Sequence, residues 1–134
     1  MRYLDRLQPL ALLVLRFVLG AIMIAHGYGK VFGGMQRFSH MVGGLGIPGW
    51  MAYLAAAAEF GGGILIVIGL ITRLAALAIF LEMLVAISKV HFKNGLMGQG
   101  GYEFPMAVAT IAFALIFLGA GPIALDHIRG GSST

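Results

Sequence analysis

Four apolar runs constrain this chain more than any other feature: they lie at about residues 10–31, 50–71, 74–90 and 104–118, separated by short polar or glycine-rich breaks. A helix rises about 1.5 Å per residue, so the first two runs are long enough to cross a hydrocarbon core of about 30 Å. The last two give only about 22 to 26 Å and need flanking turns or a locally thinner bilayer. The expected fold is therefore all-α, a polytopic membrane protein built as a four-transmembrane-helix bundle. Composition agrees: 60% of the residues are hydrophobic and 10% are charged, whereas a soluble domain carries about a quarter of its residues charged. Lipid is the expected surroundings. The transmembrane domain is read as residues 1–129, with 130–134 as a disordered tail.

Arg2 and Arg6 before an apolar run resemble a secretory leader, but Arg16 interrupts that run and the helical register continues through Gly27 to Phe32. The first span is therefore expected to stay in the mature protein. Residues 35–41 read as a short interfacial helix within a glycine-rich loop, and the near-absent connection at Thr72-Arg73 forces the second and third helices into an antiparallel hairpin. Lys and Arg divide evenly between the two membrane sides, and Arg16 tips the balance towards cytoplasmic termini.

The net charge of +4 does not indicate nucleic acid, because the nine Lys and Arg are scattered singly rather than gathered in a stripe. There is no cysteine. That excludes disulfides, thiolate metal sites and any catalytic thiol supplied by this chain. Redox chemistry would have to use a borrowed cofactor or substrate.

Three charges fall inside three different spans: Arg16, Glu59 and Glu82. Each would cost about 2.5 to 3.5 kcal/mol at a helix centre on the insertion scale, so each needs a partner. Counted from the side that holds the termini, Arg16 is about 10 Å deep, Glu82 about 13 Å and Glu59 about 18 Å, which lets them converge in the interior. The helical faces agree. Arg16, Gly20, Met23, Gly27 and Lys30 form one stripe; Ala55, Glu59 and Gly62 form another; Ala75, Ala78, Glu82 and Ala86 form a third. One guanidinium cannot neutralise two carboxylates, so one carboxyl can keep a proton and either shuttle it or bond a quinone oxygen. The bland reading is that the charges only fasten the bundle.

A second constellation lies at the opposite membrane face, where His26 and Lys30 end the first helix and His91 and Glu103 gather after the third, among Arg37, His40, Lys89, Lys93 and Tyr102. Ordinary interfacial snorkelling explains such a set. The sharper reading is a mouth that draws an anionic or quinol-like substrate inward. No histidine pair has local ligand spacing, and no metal is expected.

The ordered set Arg16...Gly20, His26-Gly27...Lys30, Gly46-Ile47-Pro48, Ala58-Glu59...Gly62-Gly63...Gly69...Thr72-Arg73, Met83...Ala86, Gly101...Glu103 and Gly121-Pro122...Leu125-Asp126 resembles the DoxX family of small prokaryotic membrane proteins. The resemblance covers nearly the whole chain. It implies a four-helix protein of the prokaryotic inner membrane in a quinone or sulfur redox setting, with Arg16, Lys30, Glu59, Arg73, Glu103 and Asp126 as the pattern's polar positions. Glu82 lies outside that pattern, and Gly-Ala-Gly-Pro stands at residues 119–122 where the family usually has Gly-Pro-Gly.

Together these readings give an expectation of a membrane component of a redox system. It would bind a quinone-like molecule in the bundle, with Glu59 and Arg16 as the catalytic pair, His26, Lys30, Glu82, Glu103 and His91 as substrate contacts, and a redox partner protein supplying electrons. The alternative is a scaffold or small transporter whose buried charges are structural and whose glycine faces join copies into a homo-oligomer.

Overall fold

A computed structural model describes residues 1–130. After a short turn of helix α1 (Arg2–Asp5), the long α2 (Gln8–Gly29) begins with a proline in its first turn, where no backbone donor is lost. A wider turn over Lys30–Gly34, with Phe32 and Gly33 outside helical geometry, redirects the chain into α3 (Met35–Gly44). Then follow α4 (Met51–Ile68), α5 (Thr72–Ala86), α6 (Glu103–Leu118) and the short α7 (Leu125–Gly130). No strand occurs among the described residues. The expected tail at 130–134 begins one residue too early, since Gly130 closes α7; residues 131–134 lie outside the described part.

The four apolar runs thus become α2, α4, α5 and α6. Three helical stretches are long and apolar enough to cross a membrane, and the 16-residue α6 is shorter. Helix α2 packs chiefly on α4, α5 on α6, and the α4–α5 seam joins the two pairs into one bundle. Leu19, Met23, Ile66, Ile79, Val108, Ala112 and Leu115 fill the interior. Phe17, Val18, Leu54, Leu77, Leu81, Phe113 and Phe117 point outwards and are about half exposed. An apolar surface that wide suits acyl chains, not water.

The α2–α4 contact depends on two facing glycines. A Cβ at Gly20 would lie 2.8 Å from the Gly63 carbonyl oxygen, and one at Gly63 would lie 2.9 Å from that of Gly20. Backbones this close are the usual solution where lipid removes the hydrophobic drive for helix association. Helix α4 ends earlier than its apolar run: Gly69 takes a left-handed φ of 74°, and the Gly69 and Leu70 N–H groups both donate to the Leu65 carbonyl at 2.8 and 2.9 Å. The hairpin turn is therefore Gly69–Leu70–Ile71, not Thr72-Arg73. Ile71 is itself left-handed at φ 42°, an uncommon conformation for a β-branched residue.

Candidate functional site

The buried charges separate into two clusters at opposite ends of the bundle. At the end that holds the termini, Arg16 is 1% exposed and all its hydrogen bonds go to backbone carbonyls. Its Nε donates to Ile66 at 2.9 Å and one Nη to Val67 at 2.7 Å. The other Nη donates to Ala120 at 3.1 Å and Ile123 at 2.6 Å. Ile66 and Val67 belong to the last turn of α4, whose carbonyls carry the negative end of its dipole; apart from the guanidinium, that of Ile66 accepts a 3.2 Å bond from the Gly69 N–H. One planar guanidinium thus closes α4 and ties it to the segment after α6.

Asp126 does the converse at the start of α5. Its carboxylate accepts the N–H groups of Ile71 at 2.6 Å and Thr72 at 2.9 Å, while its own N–H donates to Gly69 at 2.8 Å. Ile71 cannot cap that helix with its own side chain, so an aspartate 55 residues away supplies the cap. Burial pushes the Asp126 carboxyl up, but the hydrogen bonds from Thr72 and Ile71 and the charge of Arg129 outweigh it and hold the group below the usual carboxylate range. A folded-state value below the unfolded one means stability that is present above the ordinary carboxylate range and lost as pH falls through the lowered value. Asp126→Asn is therefore expected to lower the melting temperature at neutral pH and to flatten the acid limb of its pH dependence. An unchanged acid limb would show that Asp126 does not hold the turn. Nearby, Arg73 donates to the Ile116 and Phe117 carbonyls, both at 2.8 Å, and closes the end of α6 in the same manner.

The second cluster lies towards the opposite end. Lys30 Nζ donates to both oxygens of Glu59, at 2.6 and 2.8 Å, and sits 4.1 Å from the centre of the Phe38 ring. The lysine side chain is 26% exposed and the glutamate 4%. Glu82 on α5 lies against Glu59 and within the field of Lys30, and its Oε2 is buried without a hydrogen-bond partner. His26, one turn before Lys30, is exposed and rests on Phe104 at 5.8 Å between ring centres.

The expected meeting of Arg16 with Glu59 is therefore corrected. Neither Glu59 nor Glu82 pairs with Arg16, because helix-end carbonyls consume the guanidinium and Glu59 takes its cation from Lys30. The stripe Arg16, Gly20, Met23, Gly27 and Lys30 already placed both cations on the α4 side of α2. The flexible lysine stem reaches inwards where snorkelling outwards was the default. Two other expected contacts stay outside the cluster. His91 Nδ1 bonds the Gly100 carbonyl at 2.7 Å and pins its own loop, and Glu103 is exposed in the first turn of α6. Among the described residues no group of three His, Asp or Glu side chains is arranged to hold a metal.

Fold and site together define a multi-pass α-helical membrane protein that contacts the lipid bilayer and carries an ion pair and a further carboxyl inside its bundle. The DoxX family model matches residues 11–92, and the chain belongs to that family. It is 35% identical to a Bacillus subtilis protein named "Putative oxidoreductase CatD", over 90% of this chain and 91% of that one. An uncharacterized protein of Haemophilus influenzae is 34% identical over 95% of this chain and 96% of its own length. The "Inner membrane protein YqjF" of Escherichia coli is 36% identical over 55% of this chain and 56% of its own length. No solved structure matches the chain.

Proposed function

We propose that this chain is a component of a redox system in a prokaryotic inner membrane, binding a quinone-like molecule beside Lys30, Glu59 and Glu82 and acting with an electron-transfer partner. The observation that carries this reading is Glu82 Oε2, a buried oxygen without a partner next to a formed Lys30–Glu59 ion pair. Buried polar atoms are nearly always bonded, and an orphan beside a partly open cation fits a small molecule that bears oxygen atoms of its own. The word oxidoreductase in the Bacillus relative's name and the inner-membrane title of the Escherichia relative support the setting.

A quinone, when bound, supplies two-electron, two-proton chemistry. The residues do the rest. Lys30 offers an ammonium N–H for a carbonyl oxygen and a positive charge where negative charge develops. One lysine against two carboxyls is neutral only when the carboxyls share one proton, and a proton held between Glu59 and Glu82 is one that can be handed on. His26, exposed one turn away, lines the way in. Arg16 has no such part in this reading, since its donors are spent on the backbone; its role is positioning. Electrons come from the partner.

The test is solvent extraction of the purified protein, with the ultraviolet difference between oxidised and reduced quinone as readout, followed by rebinding of added quinone monitored by quenching of Trp50. A stoichiometric quinone is expected in the unmodified protein, and at least tenfold weaker rebinding in Glu82→Gln with its melting temperature retained. A protein that yields no quinone and binds none when it is added would overturn the proposal.

A further inference from the structure

At the membrane face that holds the termini, a cavity of about 220 Å³ opens where the start of α5 meets α7. Arg73 and Leu74 line it from α5, Asp126 and Arg129 from α7. Among the described residues neither arginine has all its donors engaged. The α6 carbonyls take only Nη1 of Arg73, which leaves Nε and Nη2 to spare. Arg129 is 62% exposed and stands 3.9 Å from Asp126, outside hydrogen-bond reach. The Asp126 carboxylate does not cancel this pair of cations: it is buried, it accepts the Ile71 and Thr72 N–H groups, and the charge of Arg16 also acts on it.

We propose that this cavity holds the phosphate of an anionic phospholipid between Arg73 and Arg129, at a site separate from the Lys30, Glu59 and Glu82 cluster at the other end of the bundle. Two guanidiniums offer planar sets of donors that match phosphate oxygens, and the start of α5 adds the positive end of its dipole. The surroundings select a lipid over a free anion. Leu74 stands 64% exposed beside the cavity, and Ile128, next to Arg129 in the chain, is 79% exposed; such side chains belong at a boundary between headgroups and acyl chains. Ile71 and Leu74 also border the shallow apolar furrow between α4 and α5, so a chain attached to the phosphate has an apolar surface to follow. A free phosphate would use the charges and leave that surface bare. The excess of cations selects the headgroup as well, because a zwitterionic head brings a cation of its own towards the arginines and an anionic one does not. The bound lipid bridges α5 and α7 across the turn that Asp126 caps.

The experiment titrates the protein in an uncharged detergent with phosphatidylglycerol or with phosphatidylcholine of the same acyl chains, and native mass spectrometry counts the complex that carries a single lipid. The unmodified protein is compared with Arg129→Gln, Arg73→Gln and Arg6→Gln. Arg6 is exposed near the start of the chain and does not line the cavity, so it controls for charge spread over the same membrane face. The first phosphatidylglycerol is expected to bind the unmodified protein about tenfold tighter than phosphatidylcholine. Arg129→Gln should lose that preference with its melting temperature retained, since its side chain is exposed. Arg73→Gln should lose it too, but with a lower melting temperature because the Ile116 and Phe117 carbonyls are released, so Arg129→Gln decides the matter. Arg6→Gln should keep it. A preference that survives in Arg129→Gln, that falls equally in Arg6→Gln, or that is missing from the unmodified protein overturns the site. Displacement of the phosphatidylglycerol by an excess of inorganic phosphate would assign the arginines to a free anion and overturn the lipid as occupant.

Discussion

Arg16→Met is expected to prevent recovery of a folded protein from the membrane, the largest effect of any single substitution in this chain. The methionine matches much of the arginine's length and apolar stem, so packing changes little while every donor disappears. The carbonyls of Val67, Ala120 and Ile123 would then lose the guanidinium, and that of Ile66 would keep only its 3.2 Å bond from the Gly69 N–H. An unsatisfied buried polar group costs about 1–3 kcal/mol. Several together rival the roughly 5–15 kcal/mol that separates folded from unfolded states in ordinary domains. Hydrocarbon surroundings offer no water to make up the loss. Arg16→Lys is expected to rescue little, because an ammonium is a point charge that cannot span carbonyls from two separate segments as a planar fork does. The check is the monodisperse fraction after detergent extraction together with the melting temperature. An Arg16→Met protein that melts within a few degrees of the unmodified one would show that the clamp is ornamental.

That effect also marks how far the sequence could be read. The bundle was legible because lipid leaves so few options: an apolar run of spanning length must be helical, and the runs here are separated by unmistakable breaks. Helix ends were less legible. Gly69 ends α4 before its apolar run stops, and Thr72 and Arg73, read as a connection, belong to α5. Both departures follow from the Arg16 and Asp126 caps, contacts across more than 50 residues that no local pattern encodes. Asp126 stands out in the sequence only as a polar position of the family pattern, with no partner assigned to it, yet it is 4% exposed and anchors a turn. Its signal was indirect: a deep arginine and a tight turn each demand an opposite partner from somewhere in the chain.

The candidate site was half legible for a similar reason. The sequence singles out both Glu59 and Lys30, but depth counted along the backbone sets Glu59 in the interior with Arg16 and leaves Lys30 at the opposite membrane face. A lysine stem is long enough to bring its charge well below its own backbone, and Phe38 on α3 stacks against the ammonium there. Once Lys30 is drawn inwards, Glu59 has no need of Arg16. The guanidinium is then left for the helix ends, and the bundle divides its charges into a fastening cluster and a cluster with an atom to spare.

The Lys30–Glu59 pair provides the second large effect, and it separates fastening from chemistry. Lys30→Met leaves a carboxylate that is 4% exposed without its cation, and breaking a buried pair in this way costs about 3–5 kcal/mol. Glu59→Gln strands the lysine instead, but the amine can swing out to the membrane face, so a smaller loss is expected. In the double variant Lys30→Met/Glu59→Gln neither position carries a stranded charge, so the largest cost of breaking the pair is removed. Its melting temperature should return close to that of the unmodified protein, giving a strongly non-additive cycle. Quinone binding should nevertheless stay lost, because the ammonium that meets the ligand is gone. A double variant as unstable as the sum of the single ones would mean that the two residues act separately. One that is stable and still binds quinone would reduce the pair to a fastening and remove it from the chemistry.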